Sequence, residues 1–373
     1  MTRDLFNLAF TWRAQGQAFV RVAVLSADCP GITPGTVLMV PDDGTGSGAG
    51  AAGDKSLLPA VLPFVRRTLS ERMPFLVTLR IQGTTVPVYV EPVLPGPSVV
   101  IMGAGHIALA LAPIAVAAGY DVTVVDDRPG YAVPGRFPGA RVVSVPWARV
   151  GEFLPASGFL AVALLNRDYE QDIACLRALW SSPRGRTADY IGMIGSRRRV
   201  AAVRAEAARA GIPSDWLGHV HAPIGLDIGA ETPGEIAVAV MAEVVLARHR
   251  QEGARSPSRQ HGMGADWPRP DRPVAAADRL AVATVVSTRG ATPRKAGASM
   301  LVWEDGRIAG TAGGGGGEEE IRQAGLEVLR QGVAKIINVE FTADPGEAGA
   351  LICGGVMTVL VEPVVFQGGH VDA

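Results

Sequence analysis

Cysteine is scarce in this chain, and its positive and negative charges nearly cancel. The 373 residues include three cysteines, Cys29, Cys175 and Cys353, and no two of them form a CxxC pair. This spacing excludes a four-cysteine metal site and fits a reducing compartment. A formal net charge of −1 argues against a nucleic-acid-binding protein that works through a broad positive field.

Long apolar runs are also missing. The two longest, near residues 107–119 and 236–245, are too short to cross a bilayer, and the second contains Glu243. The first residues have no apolar stretch behind a basic one, so we expect no signal peptide. The sequence therefore predicts a cytoplasmic protein that contacts neither a membrane nor nucleic acid.

What the chain does contain is a regular alternation of apolar strands and helices that begins after Pro95. Apolar residues make up 48% of the chain and charged residues 19%, which is typical of a well-packed protein with two or three domains. Strands are predicted at 98–102, 121–125, 140–143, 159–165 and 190–194, and helices at 107–118, 169–180, 199–210 and 232–248. This pattern favours a Rossmann-type doubly wound parallel sheet.

Two segments at the start of the chain are repeated near its end. Residues 34–44 run parallel to 296–306, and residues 82–92 run parallel to 353–363, with Gln82 at the position of Cys353. The first copy also lacks the basic residues Arg289, Arg294 and Lys295 of the second copy. We therefore interpret the first copy as degenerate and the second as intact, and we expect the chemistry to lie in the second.

The predicted fold is thus an α/β protein in which two copies of a smaller α/β domain, one of them degenerate, flank a Rossmann-type sheet. The predicted segments are a degenerate domain at 1–95, the Rossmann-type domain at 96–250, a linker at 251–275, the intact domain at 276–366 and a tail at 367–373. The linker assignment depends on a Gly-, Ser-, Pro- and Arg-rich composition with few apolar residues.

The first strand of the sheet runs into a loop typical of nucleotide binding. Gly103 allows a tight turn, Gly105 allows close approach of the backbone, and Ala108 lets the helix pack on the strand. The amides at the helix start favour an anion. Asp126 ends the second strand, where a carboxylate holds a ribose diol in dinucleotide-binding proteins. His106 either donates a hydrogen bond to a ligand or caps the turn.

Two later loops lie at the same edge of the sheet. Ser196 is predicted to cap the next helix, and Arg197, Arg198 and Arg199 follow it in the first turn. Cations are unfavourable at a helix start unless they share an anion with the amides, so these arginines indicate a phosphate-bearing ligand or else a solvated basic face. Asp227 lies in a Gly-rich segment that is predicted to shape the same cleft.

Together these residues resemble the XdhC/CoxI family, whose members are accessory proteins of molybdenum hydroxylases. The resemblance rests on Gly103-Ala-Gly-His106, Asp126-Asp-Arg-Pro129, Tyr190-Ile-Gly-Met-Ile-Gly-Ser-Arg197, Pro223-Ile-Gly-Leu-Asp-Ile-Gly-Ala230, Thr288-Arg-Gly-Ala-Thr-Pro-Arg294, the glycines of 313–317 and Cys353-Gly-Gly355. It implies a protein that binds the molybdenum cofactor, protects it during sulfuration and passes it to an apo-hydroxylase. A cysteine desulfurase would be the other partner.

The resemblance also implies roles for residues of the intact copy. The pterin cofactor is negatively charged at both ends, and Arg289 and Arg294 would meet one of them unless they form a solvated basic turn. Gly314 and Gly315 would offer free amides to an anion or a ring edge. Cys353, next to Gly354, would bring sulfur to the metal as a possible molybdenum contact, or is a small buried apolar side chain.

Departures from the family and two competing interpretations also bear on the assignment. Many members read Ser-Gly-Gly-Cys where this chain has Gly313-Gly-Gly-Gly316, so any role for that cysteine is absent. The Rossmann half is also compatible with an NAD(P)-dependent oxidoreductase, and the whole chain with a structural subunit of a hydroxylase complex. We favour a cofactor-binding chaperone without turnover of its own, assembled as a homodimer.

Overall fold

The computed structural model describes residues 1–255, 274–275, 278–314, 316–341 and 354–365. The chain divides into a parallel-sheet unit, Gly96–Arg259, and a two-module unit made of Met1–Pro95 and Gln260–Ala373. Within the described ranges, no helix is both long and apolar enough to span a membrane. The predicted tail and most of the predicted linker lie outside the described residues.

The N-terminal module of the two-module unit consists of one leading helix and an antiparallel sheet covered by a second helix. Its elements are α1 Arg3–Ala14, β1 Phe19–Val24, β2 Val37–Pro41, β3 Ala52–Gly53, α2 Leu58–Glu71, β4 Phe75–Ile81 and β5 Thr84–Val93. The strand order is β3-β2-β1-β5-β4. One face of this sheet packs on α2 through Val61 and Val65, in a core of buried aliphatic side chains.

The parallel-sheet unit alternates strands and helices as the sequence predicts. Its elements are β6 Ser98–Met102, α3 His106–Ala117, β7 Asp121–Asp126, β8 Arg141–Ser144, β9 Leu160–Leu164, α4 Tyr169–Ser181, α5 Pro183–Arg186, β10 Tyr190–Met193, α6 Arg197–Arg209, α7 Ser214–Gly218, β11 Val220–His221 and α8 Pro233–Arg255. The strand order is β11-β10-β9-β6-β7-β8, and every pair is parallel. This is the doubly wound order, with its switch point between β6 and β9.

Helices cover both faces of this sheet, which explains why its strands are apolar without alternation. On one face α3 and α8 contribute Leu111 and Val240 to the core, and on the other face α4 and α6 contribute Leu179 and Val203. The helix α8 continues to Arg255 and therefore extends into the predicted linker. The predicted fold class is confirmed.

The C-terminal module repeats the architecture of the N-terminal one. Its elements are β12 Leu280–Arg289, β13 Ser299–Trp303, β14 Ile308–Gly310, α9 Gly316–Gln331, β15 Lys335–Glu340 and β16 Val356–Pro363. The described strands have the order β14-β13-β12-β16-β15, which matches the N-terminal sheet element by element. The helix α9 covers one face through Ile321 and Val328.

The two sheets share a third core on the faces that α2 and α9 leave uncovered. This core contains residues from both modules and the apolar side of α1, including Leu5, Phe6 and Ala9. The beginning of the N-terminal module also contacts the end of the C-terminal module, because the amide of Arg3 donates to the carbonyl of Val365 at 3.0 Å. Helix α1 was not predicted from the sequence.

Candidate functional site

The turn after β6 requires glycine in this structure. Gly103 has φ +111, and a Cβ there would lie 2.9 Å from the carbonyl oxygen of Leu165 and 3.1 Å from Oδ1 of Asn166. Because both neighbours belong to the segment that follows β9, the contact brings two strand ends together at the switch point of the sheet. A side chain at position 103 would separate them.

The start of α3 presents backbone amides on an open side of the helix. Gly105 is the capping residue and makes no side-chain capping bond, and a Cβ built there meets nothing within 4 Å. His106 is the first helical residue and is exposed, whereas Ala108 is fully buried against the sheet as its small size allows. The backbone therefore has open space beside Cα of Gly105, at the start of the helix.

Asp126 ends β7 with a carboxylate that is already fully engaged. Its Oδ2 accepts from the amide of Ala104 at 2.7 Å and from Nη2 of Arg128 at 2.9 Å. Its Oδ1 accepts from the backbone amide and from Nε of Arg128, both at 2.9 Å. Burial alone would raise the pKa of Asp126, but the hydrogen bonds from Arg128 and Ala104 outweigh it and lower the pKa.

Binding of a ribose diol by Asp126 stays a prediction, and it requires that an existing hydrogen bond to the carboxylate be broken. Each carboxylate oxygen already accepts two hydrogen bonds, so a hydroxyl donor has to displace Arg128. The guanidinium of Arg128 also lies 3.8 Å from the centre of the Tyr131 ring, which holds it over the carboxylate. The sequence places Arg128 two residues after Asp126 but does not reveal this closed arrangement.

A second buried network lies behind the loop that follows β9. Nε and Nη2 of Arg199 donate to Oδ2 of Asp172 at 3.0 and 2.5 Å, and Nη2 also donates to the carbonyl of Asn166 at 3.0 Å. The side chain of Asn166 in turn donates to Sγ of Cys175 at 3.2 Å. Burial raises the pKa of Asp172 despite Arg199, and burial also raises the pKa of the Cys175 thiol.

Because of this network, the three arginines at the start of α6 have different roles. Arg199 is bound inward and ties α6 to α4, whereas Arg197 and Arg198 are exposed. The predicted Ser196 cap is confirmed, because its Oγ accepts from the amide of Arg199 at 3.3 Å. Arg197 and Arg198 are therefore the two candidates that remain available to a ligand.

The loop that carries Asp227 is held by a hydrogen bond to Glu243, which was not predicted as a site residue. Oε2 of Glu243 accepts from the amide of Gly225 at 2.6 Å and from the hydroxyl of Tyr190 at 2.7 Å. Its Oε1 lies 2.7 Å from Nδ1 of His221. Burial, followed by the bond to Glu243, raises the pKa of Tyr190. Asp227 itself is exposed.

In the C-terminal module, two of the predicted segments are in direct contact. Gly290 has φ +74, and a Cβ there would lie 2.8 Å from the carbonyl oxygen of Gly354. A Cβ on Gly355 would lie 2.7 Å from Cγ2 of Thr292. The segments 288–294 and 354–355 therefore pack backbone to backbone at one end of the sheet, where Arg289 faces Val356 in the register of β12 and β16.

The start of α9 reaches the same end of the sheet. A Cβ on Gly313 would lie 3.5 Å from Cε of Met357 in β16, and Gly317 is packed against the ring of Phe341. Gly314 is half-buried, and a Cβ there meets nothing within 4 Å, so its backbone has open space on that side. The three segments converge, and the close contacts at Gly290, Gly317 and Gly355 leave no space for a side chain there.

The cations of this region differ in exposure. Arg289 is exposed, and Arg294 and Lys295 are half-buried. The carbonyl of Arg294 accepts from Oγ1 of Thr292 at 2.8 Å, which closes the turn that carries these side chains. Gly315 and Cys353 lie outside the described residues. Among the residues that are described, no group of three His, Cys, Asp or Glu side chains is arranged to hold a metal ion.

These features define a protein with a Rossmann-type unit and a duplicated antiparallel α/β module, one copy of which has a glycine-lined, cationic edge. Two family descriptions match, "XdhC Rossmann domain" over residues 99–244 and "XdhC and CoxI family" over residues 274–340. Together they span more than half of the chain. The chain belongs to the XdhC and CoxI family, as the resemblance predicted.

Two curated relatives are similar to parts of this chain. An uncharacterized protein of Escherichia coli K12, YqeB, is 30% identical over 172 residues, which are 45% of this chain and 30% of the relative. A probable xanthine dehydrogenase subunit of Bacillus subtilis 168 is 32% identical over 170 residues, 44% of this chain and 47% of the relative. The match thus spans less than half the length of either relative.

One solved structure is also similar to this chain. The crystal structure of a xanthine dehydrogenase from Bacillus halodurans is 18% identical, with a TM-score of 0.37, and the match covers 69% of this chain and 98% of that one.

Proposed function

We propose that this chain is an accessory protein of a molybdenum hydroxylase of the xanthine dehydrogenase or CO dehydrogenase type. It binds the molybdenum cofactor, supports its sulfuration and delivers it to the apo-enzyme. Membership of the XdhC and CoxI family and similarity to a probable xanthine dehydrogenase subunit support an accessory role. The observation that carries the proposal is the convergence of the segments around Gly290, Gly313 and Gly354 in the C-terminal module.

The residues of that edge suit the cofactor by their chemistry. An anionic, planar ligand requires cations, free amides and an approach without side chains. Arg289 and Lys295 supply positive charge, and the open backbone at Gly314 leads into the start of α9, where the helix dipole favours an anion. When bound, the cofactor would supply the oxo-metal centre that the client hydroxylase uses. The chain's own residues would hold it and shield it from water.

The N-terminal module supports the assignment by contrast. It has the same strand order, yet Gln82 stands at the position of Cys353 and none of the three basic residues is present. A site required only for folding would have been retained in both copies, because both copies build the same sheet. We therefore propose that the C-terminal copy alone binds the ligand.

Two variants and a matched control test this function. Arg289→Ala and Cys353→Ala are expected to leave the protein folded but to lower the activation of an apo-hydroxylase mixed with cofactor and a cysteine desulfurase. Arg80→Ala removes an equally exposed arginine from the N-terminal sheet and is expected to activate like the wild type. Wild-type activation by both site variants would rule out the proposed site.

The Rossmann-type unit is a candidate binding site for a second ligand. The strand order, the open space beside Gly105 and the acid at the end of β7 favour a nucleotide such as NAD(P). Because the guanidinium of Arg128 already binds both carboxylate oxygens of Asp126, we expect the wild type to bind NADH weakly and Arg128→Gln to bind it more strongly. Isothermal titration with NADH checks this, and equal affinity of the two proteins would contradict it.

A further inference from the structure

The two modules meet through equivalent surfaces. In the N-terminal sheet, Val22 of β1 lies between Leu38 and Val90. In the C-terminal sheet, Ala283 of β12 lies between Met300 and Val361. This register, together with the repeated sequence segments, assigns each position of one sheet to a position of the other.

The shared core is made largely of such equivalent positions. Four pairs have both members buried in it: Phe19 with Leu280, Met39 with Leu301, Tyr89 with Leu360, and Val93 with Val364. The alternate residues of the same strands face α2 and α9 instead. Each module therefore offers the same sheet face to the other, which is the arrangement of a two-fold symmetric dimer interface.

A buried ion cluster lies at the centre of this interface. Nη1 of Arg21 contacts Oε1 of Glu91 at 2.7 Å, and its Nη2 contacts Oε2 of Glu362. The three side chains are 0%, 3% and 0% exposed. Glu91 and Glu362 are equivalent positions, and each lies in the same Val-Glu-Pro sequence. One guanidinium thus binds the same residue of both modules, which places it near the symmetry axis.

The cluster is not symmetric in composition. Arg21 lies opposite Glu91 in the register of the N-terminal sheet, and Val282 lies opposite Glu362 in the C-terminal sheet. A second arginine at position 282 would complete the symmetry, but that position holds valine. Within the described residues, Nε of Arg21 and Oε1 of Glu362 have no hydrogen-bond partner, so one arginine serves two carboxylates.

We infer that the two-module unit is a covalently fused dimer of one ancestral module, in which the N-terminal copy acts as the partner subunit of the C-terminal copy. Arg21 is a counter-charge that both copies share. The face that fits a second copy of this module is already filled within the chain, so a homodimer of the whole protein would use other surfaces. This inference does not depend on which ligand the protein binds.

The symmetry makes a testable prediction, because the arginine should work equally well from the other module. Arg21→Val removes the guanidinium that binds both buried carboxylates and is expected to lower the midpoint of thermal unfolding by roughly 6–20 °C. Adding Val282→Arg to that variant is expected to recover at least half of the loss. In a pseudo-symmetric interface, a guanidinium introduced at position 282 is equivalent to that of Arg21 and can bind both Glu362 and Glu91.

The matched control combines Arg21→Val with Ala283→Arg. It adds the same side chain to the same strand, but into the apolar core under α9, where Ala283 is fully buried, so it is expected to be less stable than Arg21→Val alone. If Arg21→Val alone gives no soluble protein, then soluble, cooperatively unfolding Arg21→Val/Val282→Arg protein counts as recovery. An unchanged midpoint in Arg21→Val, or an Arg21→Val/Val282→Arg protein no more stable than Arg21→Val alone, overturns the inference.

Discussion

The contact between Gly290 and Gly354 holds the candidate site together, and a single methyl group tests it. Replacing Gly290 with alanine has two effects. Its φ of +74 lies in the left-handed region, where an L side chain costs about 1–2 kcal/mol. In addition, the new Cβ would lie 2.8 Å from the Gly354 carbonyl and 3.1 Å from Cα of Gly355.

These neighbours are backbone atoms, which cannot rotate away. Overpacking of this kind adds about 1–3 kcal/mol, so we expect Gly290→Ala to lower the free energy of unfolding by about 2–5 kcal/mol in total. Gly332 provides the control, because it has φ +71 and a Cβ there meets nothing within 4 Å. Gly332→Ala is expected to lose only about 1–2 kcal/mol.

Urea unfolding at equilibrium measures both losses on the same scale. A larger loss for Gly290→Ala, accompanied by weaker hydroxylase activation, is the expected result. Equal losses of unfolding free energy in the two variants would show that segment 288–294 does not pack against segment 354–355. The convergence that supports the proposed site would then be refuted.

Two further predictions concern the parallel-sheet unit. Arg128→Gln is expected to lower the free energy of unfolding at pH 7 by about 1.5–3 kcal/mol, because a buried carboxylate loses charged hydrogen bonds. The pKa of Asp126 is lowered in the folded protein, so its contribution to the free energy of unfolding is present above the unfolded pKa of about 3.9 and disappears as the pH falls through the folded pKa. Urea unfolding near pH 3 should therefore show a smaller difference in free energy between Arg128→Gln and the wild type. A difference that stays constant with pH would contradict this. Arg199→Gln is expected to lower the free energy of unfolding by about 3–5 kcal/mol, because it leaves Asp172 buried and unpaired. Adding Asp172→Asn should restore most of that loss in the same assay, and no recovery would contradict the network described for Arg199.

The parallel sheet could be predicted because its signals are local. Central strands such as β9 are continuous apolar runs, the Gly103 loop marks the first strand–helix turn, and the Thr232–Glu235 capping box marks the start of α8. The structure shows that box as reciprocal hydrogen bonds of 2.9 and 3.3 Å between the two residues. Signals of this kind need no knowledge of the rest of the chain.

Helix α1 escaped prediction because its local signals are weak. Its sequence, Arg3–Ala14, contains Phe, Trp, Thr and Asn, which are poor helix formers. The helix is stabilised by packing Leu5, Phe6 and Ala9 into the core that the two modules share. Thr2 as a capping residue was a signal that could have been used.

Arg21 shows what a sequence cannot provide. A single arginine inside the apolar run of β1 suggests a buried charge, but its partner Glu362 is 341 positions away. Similarly, Asp126 could be placed at a strand end, whereas its closure by Arg128 depends on side-chain geometry. Partners that are distant in sequence become visible only once the sheets are assembled.

The central claim is that the C-terminal module alone holds the molybdenum cofactor. Its most direct test is the molybdenum content, measured by mass spectrometry, of the chain purified from cells that make the cofactor. We expect one molybdenum per chain for the wild type and for Arg80→Ala, and a strong loss for Arg289→Ala and Cys353→Ala. Two per chain, or undiminished content in both site variants, would contradict it.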